Sequence, residues 1–243
     1  MNSCTFNSLP SNIMAYWVSG AFVDIFKKSK ALLDFGEPKQ GMATSDNNRF
    51  LRQWFEVSIN KECFEATDSI NAVYTGKKWF PYNKGGEFRK WYGNQDYVMN
   101  YYLDGKEVKN VMKNGKIASR VQNTQFYFNE SISWSKISGG SISFRYYPRG
   151  FLFDVAGCSV FIDDKTTRNY VCGVLNSSVT QYILSALSPT INFEVGQIAT
   201  VPIILNSSSK DDITKLVLSN MQLSKKEWDS FEESWNFKKH PLV

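Results

Sequence analysis

Apolar positions recur at three- and four-residue spacing near the start of the chain. Met14, Trp17, Val18, Ala21, Phe22, Ile25 and Phe26 form one stripe, opened by Pro10-Ser11 and stopped by Gly36 and Pro38. This pattern predicts an amphipathic helix with Ser11 as its N-cap. A turn-rich stretch, Gly41 to Asn48, follows it. The centre of the chain changes period. Tyr97 to Leu103, Gln125 to Phe128, Ile142 to Tyr147, Phe151 to Val155 and Ser159 to Ile162 are β-branched or aromatic runs bounded by Gly, Asn, Asp or Pro. They predict short strands joined by turns. Helical spacing returns with Val174, Leu175, Val179, Ile183 and Leu187. Gln197 to Leu205 then predicts a strand, with Pro202 placing it at an edge or a bend.

After Asn206-Ser-Ser-Ser209 the chain becomes helical again. Ile213, Leu216, Val217 and Met221 form one stripe, and Ser224-Lys-Lys-Glu227 fits a capping box for a second helix carrying Trp228, Phe231 and Trp235. No segment repeats at a fixed period. The expected class is α+β, a sheet-rich middle flanked by an N-terminal helix and a C-terminal helical segment. Its boundaries are 1–38 for the helix and linker, 39–205 for the middle and 206–243 for the tail.

At 243 residues, 42% of them hydrophobic, the chain can bury one sizeable core. No apolar run approaches the roughly 18 residues that cross a bilayer, and the N-terminus lacks a secretion signal. Cys4, Cys63, Cys158 and Cys172 show no paired spacing and none adjoins the single histidine, His240. The expectation is a cytoplasmic protein with reduced thiols and no metal site.

Charge changes the picture more than composition does. The net formal charge is +5, yet residues 77–120 hold ten Lys/Arg against four Asp/Glu. That segment carries an excess of six, and the remainder of the chain sums to −1. Such asymmetry points to a polyanionic partner or to a solvated basic face. Its densest part, Lys77 to Gly93, interleaves five cations with Trp79, Phe80, Tyr82, Phe88, Trp91 and Tyr92. Lysine and arginine neutralise phosphates, and aromatic faces stack on bases or wedge into grooves. The same string also fits a surface hairpin whose aromatics pack on the core. The loop Thr44-Ser-Asp-Asn-Asn-Arg49 supplies amides and a guanidinium, the groups suited to paired hydrogen bonds with adenine and guanine edges. A helix cap and turn would use the same residues.

Catalytic signals are absent from the sequence. No Gly-rich loop follows a strand to cradle S-adenosylmethionine, and no Asn/Asp-Pro-Pro-Tyr/Phe tetrapeptide is present to hold a flipped adenine. Asp96 with Glu107-Val-Lys109 mimics the carboxylate and Glu-x-Lys pattern of metal-dependent nucleases, but is short enough to arise by chance. A serine or cysteine nucleophile would have only His240 as its base.

Several strings, taken in order, carry a family likeness over nearly the whole chain. They are Ser11 to Trp17, Gly41 to Arg52, Lys78 to Gly93, Arg149-Gly-Phe-Leu-Phe-Asp154, Val174-Leu-Asn-Ser177, Ser188 to Phe193 and Trp228 to Phe237. Together they resemble the C-terminal half of the large adenine-specific DNA methyltransferases of BREX-type phage defence. Those enzymes are related to Type IIG restriction–modification enzymes and to Type I specificity subunits. The resemblance implies that a Rossmann-like domain binding S-adenosylmethionine precedes this segment in the full enzyme, and that the chain itself holds no cofactor. Residues 39–205 would then form a DNA target-recognition domain, and the partners would be double-stranded DNA and the methyltransferase catalytic domain or subunit. The positions carried over are Asn47, Asn48, Arg49, Lys84, Arg89 and Lys90, with Lys77 and Lys78 added as phosphate contacts from the charge pattern. The rival reading is a protein-interaction or carbohydrate-binding module that uses its surface aromatics.

Overall fold

A computed structural model describes residues 17–188 and 190–243 of the chain. In chain order the elements begin with α1 (Gly20–Lys28), β1 (Lys30–Ala31), β2 (Glu37–Lys39), α2 (Asn47–Phe50), β3 (Leu51–Gln53), α3 (Ser69–Tyr74), β4 (Trp79–Asn83) and β5 (Tyr97–Asn100). They continue with α4 (Tyr102–Lys109), β6 (Met112–Lys113), β7 (Lys116–Ile117), β8 (Ser131–Ser135), β9 (Phe144–Tyr147), β10 (Leu152–Phe153) and β11 (Gly157–Phe161). The last are α5 (Lys165–Leu175), α6 (Ser178–Leu187), α7 (Val195–Ala199), β12 (Pro202–Ile203) and α8 (Lys210–Trp228). The class is α+β, as the periodicities predict.

Two four-stranded sheets dominate, in the orders β10-β4-β5-β3 and β2-β11-β8-β9. The chain weaves between them. β2 lies in the second sheet, β3 to β5 in the first, β8 and β9 in the second, β10 in the first and β11 in the second. Strand β4 is buried at every position, which explains why Trp-Phe-Pro-Tyr shows no apolar–polar alternation. Its partners β5 and β10 run antiparallel and parallel to it. Phe80, Tyr82, Met99 and Leu152 make one core there with Tyr101 and Phe128. A second core, on Trp134, Phe144, Val160 and Ile198, is covered by α5 and by Val217 and Met221 of α8.

The sheets are joined where β4 ends. The Asn83 side-chain amide donates to Ser133 Oγ (2.6 Å), to the Gly157 carbonyl (3.1 Å) and to Ser159 Oγ (3.3 Å), and its Oδ1 accepts from Gly85 N (3.1 Å). One residue of the first sheet thus satisfies groups on β8 and β11 of the second. Next to it, Asp154 accepts from the Tyr82 hydroxyl and from Lys84 Nζ, each at 2.7 Å, and from Ala156 N.

Several local expectations are corrected. The described part of the first helix begins at Gly20 with Ser19 as its cap, whereas the Ser11 cap lies outside the described residues. Gln125 to Phe128 is not a strand. Asn123 and Phe128 have φ of 56° and 67°, Thr124–Phe126 is a 3-10 turn, and the Phe126 ring stacks on Phe161. The run from Tyr170 to Leu187 divides into α5 and α6 because Ser177 caps α6 through Thr180 N, while Asn176 bonds both the N–H and the carbonyl of Phe144. Most of Gln197 to Leu205 is likewise not a strand. Gln197 Oε1 accepts from Glu194 N and starts the helical turn α7, leaving a two-residue strand at Pro202. Ser224 caps nothing, since α8 is one helix through Trp228. Its Val217 packs against Gly173 of α5, where a Cβ would lie 2.8 Å from the Val217 methyl. Trp228 is buried in place, and beyond the helix Trp235 packs 4.7 Å from the Phe64 ring.

Replacing Asn83 by alanine removes the two N–H groups shared among Ser133 Oγ, Gly157 O and Ser159 Oγ and the acceptor of Gly85 N, each lost bond costing on the order of 1 kcal/mol. Asn83→Ala is therefore expected to lower unfolding stability by roughly 2–4 kcal/mol. Urea denaturation should show an earlier midpoint with an unchanged m-value.

Candidate nucleic-acid interface

The Thr44–Arg49 loop is held from both sides. A Cβ at Gly41 would stand 1.9 Å from the Phe153 carbonyl oxygen, so only glycine lets the chain pass β10. Met42 N then donates to Phe153 O (2.9 Å), and Ala43 exchanges two 2.9 Å backbone bonds with Arg120. Thr44 Oγ1 donates to Asn47 Oδ1 (2.6 Å), and Asp46 caps α2 by accepting from Arg49 N (3.1 Å). The cap-and-turn reading of this string is therefore correct. It also exposes Asn47 and Asn48 on the first turn of α2. The Asn47 Oδ1 is engaged by Thr44, and its NH2 group makes no hydrogen bond among the described residues. The Asn48 side chain makes no hydrogen bond among the described residues.

Asn47, Asn48, Arg52, Glu56, Lys84 and Tyr97 line an open cleft of about 400 Å³, with Leu51 at its base. Arg52 Nη1 donates to the carbonyls of Asn48 and Leu51, each at 2.6 Å, and its guanidinium lies 6.0 Å from the Trp79 ring. Lys84 is fixed by its 2.7 Å ion pair with buried Asp154. The cleft thus presents two amides and two cations on supports that are already hydrogen-bonded. Glu56 is its single acid.

The other predicted residues lie elsewhere. Arg49, next to Asn48 in α2, pairs with Glu107 at 3.2 Å. Lys77 Nζ binds Asn60 O, and Lys78 is exposed beside Trp79 at the start of β4. One strand length, roughly 20 Å, separates Lys78 from Lys84. Arg89 pairs with Glu227 (2.5 Å) and lies over Trp228, while Lys90 Nζ binds Asn176 O (2.8 Å). The basic–aromatic segment is thus largely turned inward. Trp79, Phe80, Tyr82 and Tyr92 are buried, and Phe88 is its one exposed ring, at 56%. Arg52 and Tyr97 were not singled out from the sequence. Arg52 ends the Gly41–Arg52 string, three residues beyond Arg49, and that spacing was the available signal.

Comparison with known proteins gives this surface a context. The chain is 39% identical over 241 residues to the adenine-specific methyltransferase PglX of Lacticaseibacillus casei (strain Zhang), a match covering 98% of this chain and 20% of that protein. It is 36% identical over 241 residues to the adenine-specific methyltransferase BrxX of Escherichia coli O9:H4 (strain HS), covering 98% of this chain and 18% of that protein. The chain is homologous to one segment of these methyltransferases. It spans about a fifth of their length. No family model matches it. The likeness drawn from the ordered strings is borne out.

The candidate reactive groups named from the sequence lie apart among the described residues. Asp96 faces Glu233, Arg89 and Arg145, whereas Glu107 pairs with Arg49 and Lys109 with Asp104. The nuclease-like string is therefore not one site: Glu107 and Lys109 are in separate ion pairs, and Asp96 is buried apart from them. No group of three or more His, Cys, Asp or Glu among the described residues could hold a metal ion. Burial pushes the Cys158 and Cys172 thiols up to about 12, far from reactive thiolates. No helix among the described residues is long and apolar enough to cross a membrane.

Two carboxyls are raised. Burial, reinforced by Glu233 and opposed by Arg89 and Arg145, lifts Asp96 to about 6. Burial alone lifts Glu62 to about 7, and neither of its oxygens has a hydrogen-bond partner. A carboxyl with a raised pKa favours the fold while it is protonated, and that stability is lost as pH climbs from 4.5 through about 7. Glu62→Gln is expected to raise Tm at pH 8 and to match the parent chain near pH 4. Thermal melts across pH 4 to 8 check both the sign and the window.

Proposed function

We propose that this chain is the DNA target-recognition module of an adenine-N6 methyltransferase of BREX type, and that it is not catalytic by itself. The observation that carries the reading is the cleft, which Asn47, Asn48, Arg52 and Lys84 line together. An asparagine amide can pair with the N6 and N7 edge of adenine, and a guanidinium with the O6 and N7 edge of guanine. The asparagines stand on the Asp46-capped α2 and the Arg52 guanidinium is held by the Asn48 and Leu51 carbonyls, so little side-chain freedom is lost on contact. Lys84 and Lys78 supply phosphate contacts, and Arg49 reaches the backbone when it leaves Glu107. Lys77, Arg89 and Lys90 act from their internal bonds, shaping the surface that the duplex meets.

The homology to about a fifth of two adenine-specific methyltransferases supports the assignment to such an enzyme. Cofactor binding and adenine flipping then belong to a catalytic domain or subunit that partners this one in the cytoplasm. A carbohydrate- or protein-binding module working through surface aromatics has less to use, because the segment richest in rings exposes only Phe88.

Fluorescence anisotropy with duplexes selected from a random-sequence pool tests the reading. Binding should weaken linearly in log salt. Asn48→Ala and Arg52→Ala should each cost roughly 1–3 kcal/mol, chiefly on the selected site. The chain alone should transfer no methyl group from tritiated S-adenosylmethionine. A folded chain without salt-dependent duplex binding at low ionic strength would overturn the proposal.

A further inference from the structure

The β6–β7 hairpin stands out from the core as a small two-stranded arm. Its root is fixed: Val111 is buried, Ala118 N donates to Val111 O (2.8 Å), and Arg120 is bridged to Ala43. Its tip is Asn114-Gly115, both at positive φ (50° and 74°), as a two-residue primed turn demands. A Cβ built on Gly115 meets nothing within 4 Å, so the tip is surrounded by open space.

The arm breaks two local rules. Met112 and Ile117 are direct cross-strand partners, and both are exposed, at 57% and 61%. Lys113 and Lys116 are also direct partners, which sets two like charges opposite each other. Alternation puts the apolar pair on one face of the arm and the lysine pair on the other. Lys113 Nζ binds Ser45 O (2.7 Å), in the loop that carries Asn47 and Asn48, so arm and cleft adjoin. From Val108 to Asn129 the sequence contains no Asp or Glu but has Lys109, Lys113, Lys116 and Arg120. Lys116 and Arg120 have no side-chain partner among the described residues.

We propose that this arm enters the major groove of the duplex beside the cleft. Lys116 and Arg120 contact phosphates, and Met112 and Ile117 pack on base edges, thymine methyl groups in particular. A major groove admits a two-stranded ribbon, and an apolar side chain is the group that reads a thymine methyl. A polyanion relieves the lysine pair, and groove burial covers the apolar pair. Broken local rules are expected at functional sites. The inference rests on the DNA-recognition reading and adds a second contact surface to it.

The test uses the whole chain and a 30-base-pair duplex pool of mixed sequence. The variant is Met112→Ser/Lys116→Ala/Ile117→Ser, all at exposed positions, with an unchanged Tm as the check on folding. Its affinity should fall at least tenfold, and its log–log salt slope should drop by about 0.9 for the lost lysine contact. Substituting deoxyuridine for thymidine should weaken the parent chain about fourfold per contacted methyl, and the variant not at all. A loss of less than threefold with an unchanged slope overturns the arm while leaving the cleft intact, and would mean that the arm faces another protein surface. If Arg52→Ala weakens binding and the arm variant does not, only the arm proposal falls. If the parent chain binds no duplex, both proposals fall.

Discussion

The amide side chain of Asn83 is the joint on which the arrangement depends. It sits at the end of a fully buried strand and satisfies hydroxyl and carbonyl groups of the opposite sheet. No apolar residue of that size could do so, because the three acceptors would be left in low dielectric without a donor. The approach is close enough that a Cβ on Gly157 would lie 2.5 Å from the Asn83 carbonyl oxygen. From that joint the chain passes directly to Lys84 and its ion pair with Asp154, and so to one wall of the cleft. The position of the cleft is thereby inherited from the packing of the two sheets rather than from flexible loops.

Formal charge overstates what the surface presents. Lys84, Arg89, Lys109 and Arg49 are matched with Asp154, Glu227, Asp104 and Glu107. Pairing lowers the field these side chains project, yet it also fixes where they stand. Among the cations without an ion pair are Lys113, Lys116 and Arg120, in the stretch from Val108 to Asn129 that has no acids. Arg145 shows the internal use of a cation most plainly. It is fully buried on β9 and binds the Glu87 and Arg89 carbonyls and the Ser135 and Ser143 hydroxyls, tying down the long β4–β5 connection.

The parts of the fold legible in the sequence were those where one local rule operates alone. β5, β9 and β10 fall within their predicted runs and β11 overlaps its own, starting two residues earlier at Gly157, and the helical stripes lie on α5, α6 and α8. The failures came where a side chain competed with the backbone. Asn176 and Ser177 divide a long helical pattern, and Gln197 starts a turn inside an apparent strand. Phe126 is spent on stacking against Phe161. β4 and β8 were hidden because burial on both faces removes alternation. In the candidate site, Asn47, Asn48 and Lys84 were named from residue type and likeness, and they line one cleft. Arg89 and Lys90 could not be separated from them, since only tertiary contacts reveal that Glu227 and Asn176 engage those two. The Asn114-Gly115 turn was readable but passed over, because its flanks alternate lysine with single apolar residues rather than forming an apolar run.

The interleaved strand order has a consequence for biosynthesis. Lys30 pairs with Ile203, and Glu37 with Phe161, so the first strands to be made wait for the last. At roughly 5–20 residues per second, the ribosome takes on the order of 10–35 s to deliver the partner of β1. Throughout that interval β1 lacks its partner, and until β11 is made β2 has an unsatisfied edge and the second sheet cannot close. Such distant pairing also slows the folding search itself. The second sheet and the β1–β12 pair therefore mature late, and a ribosome-tethered chain ending before β11 holds every strand of the first sheet while leaving β2 and β8 with open edges that should attract chaperones.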